Sequence, residues 1–152
     1  RRNLVMTIGA TNRPWDLDAA VLSRFERRTL ISLPDEAARA EIFRIHLEAK
    51  GLPVDHRSLS YDKLATQSER LTGREVARLC KEVTARMLAE MNPDIPALVD
   101  EGLKSIQAYE IQTRPLKHSD FAPSLDNLVA DTTVEDVHHY ADWGTQIKDS
   151  AD

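Results

Sequence analysis

The chain changes character at Pro34-Asp35. Its two strand-like runs lie before this point, and every apolar repeat after it follows helical spacing. Leu4 to Ala10 is an almost continuous apolar run, the pattern of a strand buried on both faces of a parallel sheet. Thr11-Asn12-Arg13-Pro14 closes it, because proline cannot continue a ladder. Asp18 to Ser23 reads as a short helix, and Thr29 to Leu33 as a second strand stopped by Pro34. A strand of the first kind needs neighbours on both sides, and a domain seldom begins with one. The chain therefore reads as one cut from inside a sheet.

Beyond Pro34 the reading is all helical. Asp35 caps a helix from Glu36 to Lys50, with Ala38, Ile42, Ile45 and Ala49 on one face and Gly51 and Pro53 ending it. A shorter helix covers Tyr61 to Ser68. Thr72-Gly73-Arg74-Glu75 is a capping box, in which Thr72 and Glu75 each bond the other's backbone amide. Val76, Leu79, Cys80, Val83 and Met87 then recur at helical spacing up to Asn92-Pro93. Ile95 to Ile106 is a weaker helix. Phe121, Leu125 and Leu128 mark another, capped by Ser119, and Thr133 caps a last one bearing Val137, Tyr140, Ala141 and Ile147.

Composition excludes several classes. With 41% apolar and 30% charged residues the chain is of ordinary globular type, and with only 5% aromatic residues its core rests on aliphatic side chains. A net charge of -5 removes the simplest electrostatic reason to propose nucleic-acid binding. The single cysteine, Cys80, cannot form an internal disulfide and suits a reducing compartment. No run approaches the ~18 apolar residues of a membrane span, and no signal peptide is visible. His138 and His139 are adjacent on a helix, so they point about 100° apart, a poor metal pair. Nothing else supplies metal ligands at zinc spacing.

Two features carry chemistry. Asn12 lies just past a strand-like run, where ligands of open parallel sheets collect, and its amide could orient a water. Arg24, Arg27 and Arg28 cluster around Phe25, and guanidinium groups suit phosphoryl oxygens. Taken alone, Asn12 is more simply a turn residue and the arginines a solvated basic turn paired with Glu26 and Asp18. Gly9-Ala10-Thr11-Asn12-Arg13-Pro14-Trp15-Asp16-Leu17-Asp18, Arg24-Phe25-Glu26-Arg27-Arg28 and Leu33-Pro34, in this order, resemble the AAA ATPases. The likeness is to their meiotic clade of katanin, spastin, fidgetin and the vacuolar-sorting ATPase, and most to katanin. Leu71 to Val76, Lys117 to Phe121, Thr132 to Asp136 and Tyr140-Ala141-Asp142-Trp143 extend it over nearly the whole chain.

The resemblance implies an α/β fold: the last strands of a phosphate-loop ATPase core in residues 1–34, a helical lid in 35–130 and a C-terminal helix in 131–152. It implies that Asn12 positions the attacking water and that Arg24 is an arginine finger reaching the ATP of a neighbouring protomer. Ser23 stands where the family often has a first arginine, so Arg27 or Arg28 either compensates or holds the interface between protomers. Gly73 would lie by the adenine. Arg74 either points at phosphate or faces solvent at the second position of its helix. Trp15 reads as a local anchor, and Tyr140 and Trp143 as ties for the last helix.

The parent would use ATP and Mg2+ as a ring, a homo-hexamer, acting in the cytoplasm, at the cytoskeleton, on a protein polymer such as microtubules. The chain itself contains no Gly-x-x-x-x-Gly-Lys-Ser/Thr loop and no strand ending in an acidic pair. On its own it is expected to be inactive and to hold neither cofactor nor metal. An ATPase that disassembles ESCRT filaments, or a non-catalytic helical module or pseudo-ATPase, are the alternative readings.

Overall fold

A computed structural model of the protein describes residues 5–49, 51–101 and 103–149. The chain forms two compact units, one from Arg1–Ser32 with Thr133–Asp152, the other from Leu33–Thr132.

In the first unit a 3-10 turn, Pro14–Asp16, leads into helix α1, Ala19–Leu22, whose cap is Asp18 accepting from the Val21 amide at 2.7 Å. The expected strands at Leu4–Ala10 and Thr29–Leu33 do not form among the described residues, where both runs are irregular; Leu4 lies outside them. Val5, Met6 and Ile8 are 87%, 83% and 83% exposed and Ile31 91%. The physical reason is that a strand exists only as a pair. An apolar run supplies side chains for a sheet but not the neighbouring backbone that must accept its hydrogen bonds, and the two runs do not pair with each other. Leu30 packs instead against the last helix of this unit, so closely that a Cβ on Gly144 would stand 2.8 Å from its Cδ2.

The second unit holds the core. Helices α2 (Glu36–Leu47), α3 (Tyr61–Gln67) and α4 (Gly73–Met91) pack together, followed by α5 (Ile95–Glu101), α6 (Leu103–Ala108), a 3-10 turn at His118–Asp120 and α7 (Ala122–Asp126). Asp35 caps α2 through the Ala38 amide at 2.8 Å. Gly51, at φ +70°, lets its own amide and that of Leu52 return to the carbonyls of Glu48 and Leu47, the left-handed ending that glycine adopts without strain. Lys50, the expected last residue of this helix, lies outside the described residues.

Helix α2 buries a face rotated from the expected one: of the expected residues Ile42 packs against the core and Ala38 is half-buried, but the other two are not. Arg39, Phe43 and Leu47 are buried, whereas Ile45 is 48% exposed and Ala49 is exposed. Rotating the helix by about one residue exchanges Ile45 and Ala49 for Phe43 and Leu47, which remove more apolar area from water. The rotation also buries Arg39, whose guanidinium donates to the Ala65 carbonyl at 3.1 and 3.0 Å and to that of Pro34 at 2.8 Å. Those bonds offset the cost of burying a charge without a carboxylate.

Phe43 meets Phe121 edge-to-face at 6.1 Å, and Leu64, Leu71, Val76, Val83, Met87 and Leu116 close around them. Ser119 does not cap α7. It lies within the 3-10 turn, where the Asp120 carboxylate accepts from the Lys117 amide at 2.8 Å. Arg114 grips the same carboxylate at 2.7 and 2.9 Å and holds it below the usual carboxylate range. Asn92, just past α4, is buried with its bonding capacity filled. Its amide donates to the carbonyls of Leu88 and Gln112, and its oxygen accepts from Tyr109 and the Gln112 amide.

Because Phe43 is fully buried and Ile45 half-exposed, Phe43→Ala lowers unfolding free energy by about 3–5 kcal/mol in urea titrations, while Ile45→Ala changes it by about 0.5 kcal/mol or less. Arg70, exposed at φ +66°, holds a backbone conformation that costs a side-chain-bearing residue about 1 kcal/mol, so Arg70→Gly raises the urea midpoint.

Candidate functional site

The residues singled out in the sequence fall in both units. In the first, α1 ends in a turn where the Arg24 amide returns to the Val21 carbonyl and the Phe25 amide to that of Leu22, each spending a free helix-end acceptor. Phe25 turns inward, its ring against Gly9, where a Cβ would meet it at 3.1 Å. This fixes the backbone that carries the arginines. Arg28 is used locally, donating to the Leu22 carbonyl at 3.1 Å. Arg24 and Arg27 are exposed and make no ion pair among the described residues. Two permanent charges with no local use suit an anion brought from elsewhere.

Asn12 is exposed at a bend, with no strand before it among the described residues. Its backbone carbonyl accepts from the Tyr140 hydroxyl at 2.6 Å, and the Thr11 hydroxyl accepts from the Arg13 amide at 3.1 Å. Tyr140 lies on helix α8, Val134–Asp149, which starts at a reciprocal pair. The Thr133 hydroxyl accepts from the Asp136 amide at 3.1 Å, and the Asp136 carboxylate accepts from the Thr133 amide and hydroxyl, which hold it below its ordinary pKa. The anchor of Asn12 is thus its main chain, and its side-chain amide remains at the surface.

In the second unit Gly73 and Arg74 are the first two residues of α4. The capping box is complete: the Glu75 amide reaches the Thr72 hydroxyl at 3.3 Å, and a Glu75 oxygen accepts from the Thr72 amide and hydroxyl at 2.7 and 2.6 Å. Its other oxygen accepts from the Asp131 amide at 2.6 Å, a contact that no local pattern announces. Burial raises the Glu75 pKa, but these bonds outweigh it and the carboxyl sits below its ordinary value. A Cβ at Gly73 would meet only Ile42 Cδ1, at an ordinary 3.6 Å. Packing within the chain therefore does not demand glycine there. Arg74 is exposed at a helix start, where the dipole disfavours a cation and favours an anion beside it. Asn12, Arg24 and Arg27 belong to one unit, Gly73 and Arg74 to the other.

Sequence reasoning passed over Arg39, Asn92 and Arg114. For Arg39 a signal existed, since it stands four and eight residues before Phe43 and Leu47 on one helical stripe. The partners of Asn92 and Arg114 lie across loops and leave no periodic trace.

The chain matches the profile of the ATPase family associated with various cellular activities (AAA) over residues 1–33. It is a homologue of part of the AAA ATPases. Within them it is similar to spastin of Xenopus tropicalis, 31% identical over 96% of this chain and 22% of that protein. It is likewise similar to the human A-like 1 form of the katanin p60 ATPase, 29% identical over 92% of this chain and 27% of that protein. A katanin structure solved to explain katanin self-assembly superposes with a TM-score of 0.70 at 28% identity, over 88% of this chain and 44% of that one. The FIGL-1 AAA domain bound to ADP shares the fold, with a TM-score of 0.72 at 23% identity over 91% and 44%. The chain spans about a quarter of the length of these curated relatives.

Because the folded Glu75 carboxyl titrates below its unfolded value, its stabilisation is fully present above about pH 4.3, the unfolded value, and is lost as pH falls through the folded pKa. Glu75→Gln should lower neutral-pH stability by about 1–3 kcal/mol and flatten the acid limb of stability against pH, both read from urea midpoints across pH 2–7.

Proposed function

We propose that the chain is the C-terminal portion of an ATP-hydrolysing AAA remodelling machine of the katanin kind, one that severs microtubules. What carries the reading is similarity to spastin along 96% of the chain, together with the exposure of Arg24 without an ion pair among the described residues. In this reading the parent binds ATP with Mg2+ and closes into a ring of six copies. Arg24 extends to the ATP of the next copy, where a guanidinium stabilises the charge that spreads over the transferring phosphoryl group. Arg27 supports it at the interface. Asn12 holds the attacking water with its surface amide, Gly73 leaves room for the base, and Arg74 reaches phosphate at the start of α4, where the helix itself favours an anion. Residues 1–34 complete the α/β core of the ATPase, 35–130 form its lid and 131–152 its C-terminal helix. Without a phosphate-binding loop the chain alone hydrolyses nothing, and the parent works in the cytoplasm on microtubules.

The test is ATP turnover by the parent protein, with and without microtubules, beside Arg24→Ala. The expected outcome is microtubule-stimulated turnover that falls by about a thousandfold in the variant. Mixed rings of wild-type and variant copies should lose activity out of proportion to the variant's share, because the finger acts across the interface. Turnover indifferent to microtubules would remove the severing assignment. No turnover in the intact parent would leave a non-catalytic interaction module.

A further inference from the structure

Within the first unit, the turn at Pro14–Asp16 and helix α8 border an open cavity of about 370 Å³, lined by Trp15, His139, Asp142 and Trp143 together with the apolar Pro14, Leu17 and Leu22. Trp15 is held in place from two sides, stacked on His139 at 5.1 Å and 30° and meeting Tyr140 edge-on at 5.1 Å. The chain has two tryptophans, and both line this cavity. Asp142 also lines it, exposed and without a hydrogen bond or ion pair among the described residues. The cationic neighbour Arg13 is already engaged by Asp16 at 2.9 Å. Asp18 is committed to its cap, and Asp136 to Thr133. The carboxylate left to act in the cavity is therefore that of Asp142.

The chemistry of the lining selects one kind of guest. Indole faces attract a cation through their quadrupole, tryptophan most strongly of the aromatic side chains. A carboxylate at the same mouth adds Coulombic attraction, and the apolar wall from Leu22 and Pro14 accepts methyl or methylene groups. An anion would meet the carboxylate of Asp142. We infer that the Trp15–Trp143 cavity is a binding site for an organic cation, filled by the ammonium-bearing side chain of a lysine from a protein partner. The site requires none of Asn12, Arg24, Arg27, Gly73 or Arg74, and so stands apart from the proposed ATPase function.

The probe is tetramethylammonium chloride, added to the 152-residue chain at constant ionic strength against sodium chloride. The readout is the two indole N–H signals in a proton–nitrogen correlation spectrum, assigned with Trp143→Phe. tert-Butanol serves as the neutral probe of similar shape. Saturable shifts of both indole signals with tetramethylammonium, and an affinity about tenfold weaker for tert-butanol, are expected. Asp142→Asn should weaken the ammonium about fivefold and leave tert-butanol unchanged. Because Asp142 is exposed, that variant should keep the wild-type spectrum outside the cavity, which separates loss of the site from loss of the fold. A peptide with a central Nε-trimethyl-lysine should compete with tetramethylammonium for the same shifts. Equal response to both small probes, an unchanged affinity in Asp142→Asn, or no saturable shift would overturn the assignment.

Discussion

The carboxylate of Glu75, 2% exposed, stands at the origin of the longest helix among the described residues. Burying it is costly unless its lone pairs are filled, and they are filled by the Thr72 amide and hydroxyl and by the Asp131 amide. The first two of these start α4 and so set the phase in which Val76, Leu79, Cys80, Val83 and Met87 face inward. The third draws in a segment 56 residues away in sequence. One side chain thus fixes a helix start, the face that helix buries and the path of the chain beyond α7. Ile42, packed against the same core, places α2 beside the first turn of α4, where Gly73 lies.

Much of this was legible in the sequence because it is local. Asp35, Thr72 with Glu75, Gly51 and Thr133 each act within three or four residues of their partners, and each forms the bond its residue type suggests. The face of α2 was not legible, because apolar spacing alone ranks Ile45 above Arg39. The ranking reverses only when the Ala65 and Pro34 carbonyls are in place to receive the guanidinium. The runs before Pro34 show a deeper limit. Apolar content can say that a segment suits a sheet, but strand formation is a relation between segments, and Val5, Met6, Ile8 and Ile31 remain exposed where no second backbone meets them.

The candidate site divides in the same way. That Arg24 and Arg27 would be unspent charges could not be read from the cluster, since Glu26 and Asp18 offered plausible partners. Asp18 is taken by its helix cap and Arg28 by the Leu22 carbonyl, which leaves the other two arginines outward and unpaired among the described residues. Their assignment to phosphate rests on family resemblance together with this lack of local employment. Gly73 is similar: among the described residues a Cβ there would meet only Ile42, at ordinary contact distance, so the proposed room for a base rests on the family resemblance.

Asn92 carries a consequence for chemical ageing. Asparagine side chains deamidate when the backbone nitrogen of the following residue attacks the side-chain amide and closes a five-membered imide ring. Here the following residue is Pro93, whose nitrogen carries no hydrogen to surrender, and the amide itself is held by the carbonyls of Leu88 and Gln112. Conversion to aspartate would place an oxygen opposite those two carbonyls and force acceptor against acceptor in the interior. The sequence order Asn-Pro therefore does more than stop a helix: it shelters from deamidation the amide that ties the end of α4 to the loop before Leu116.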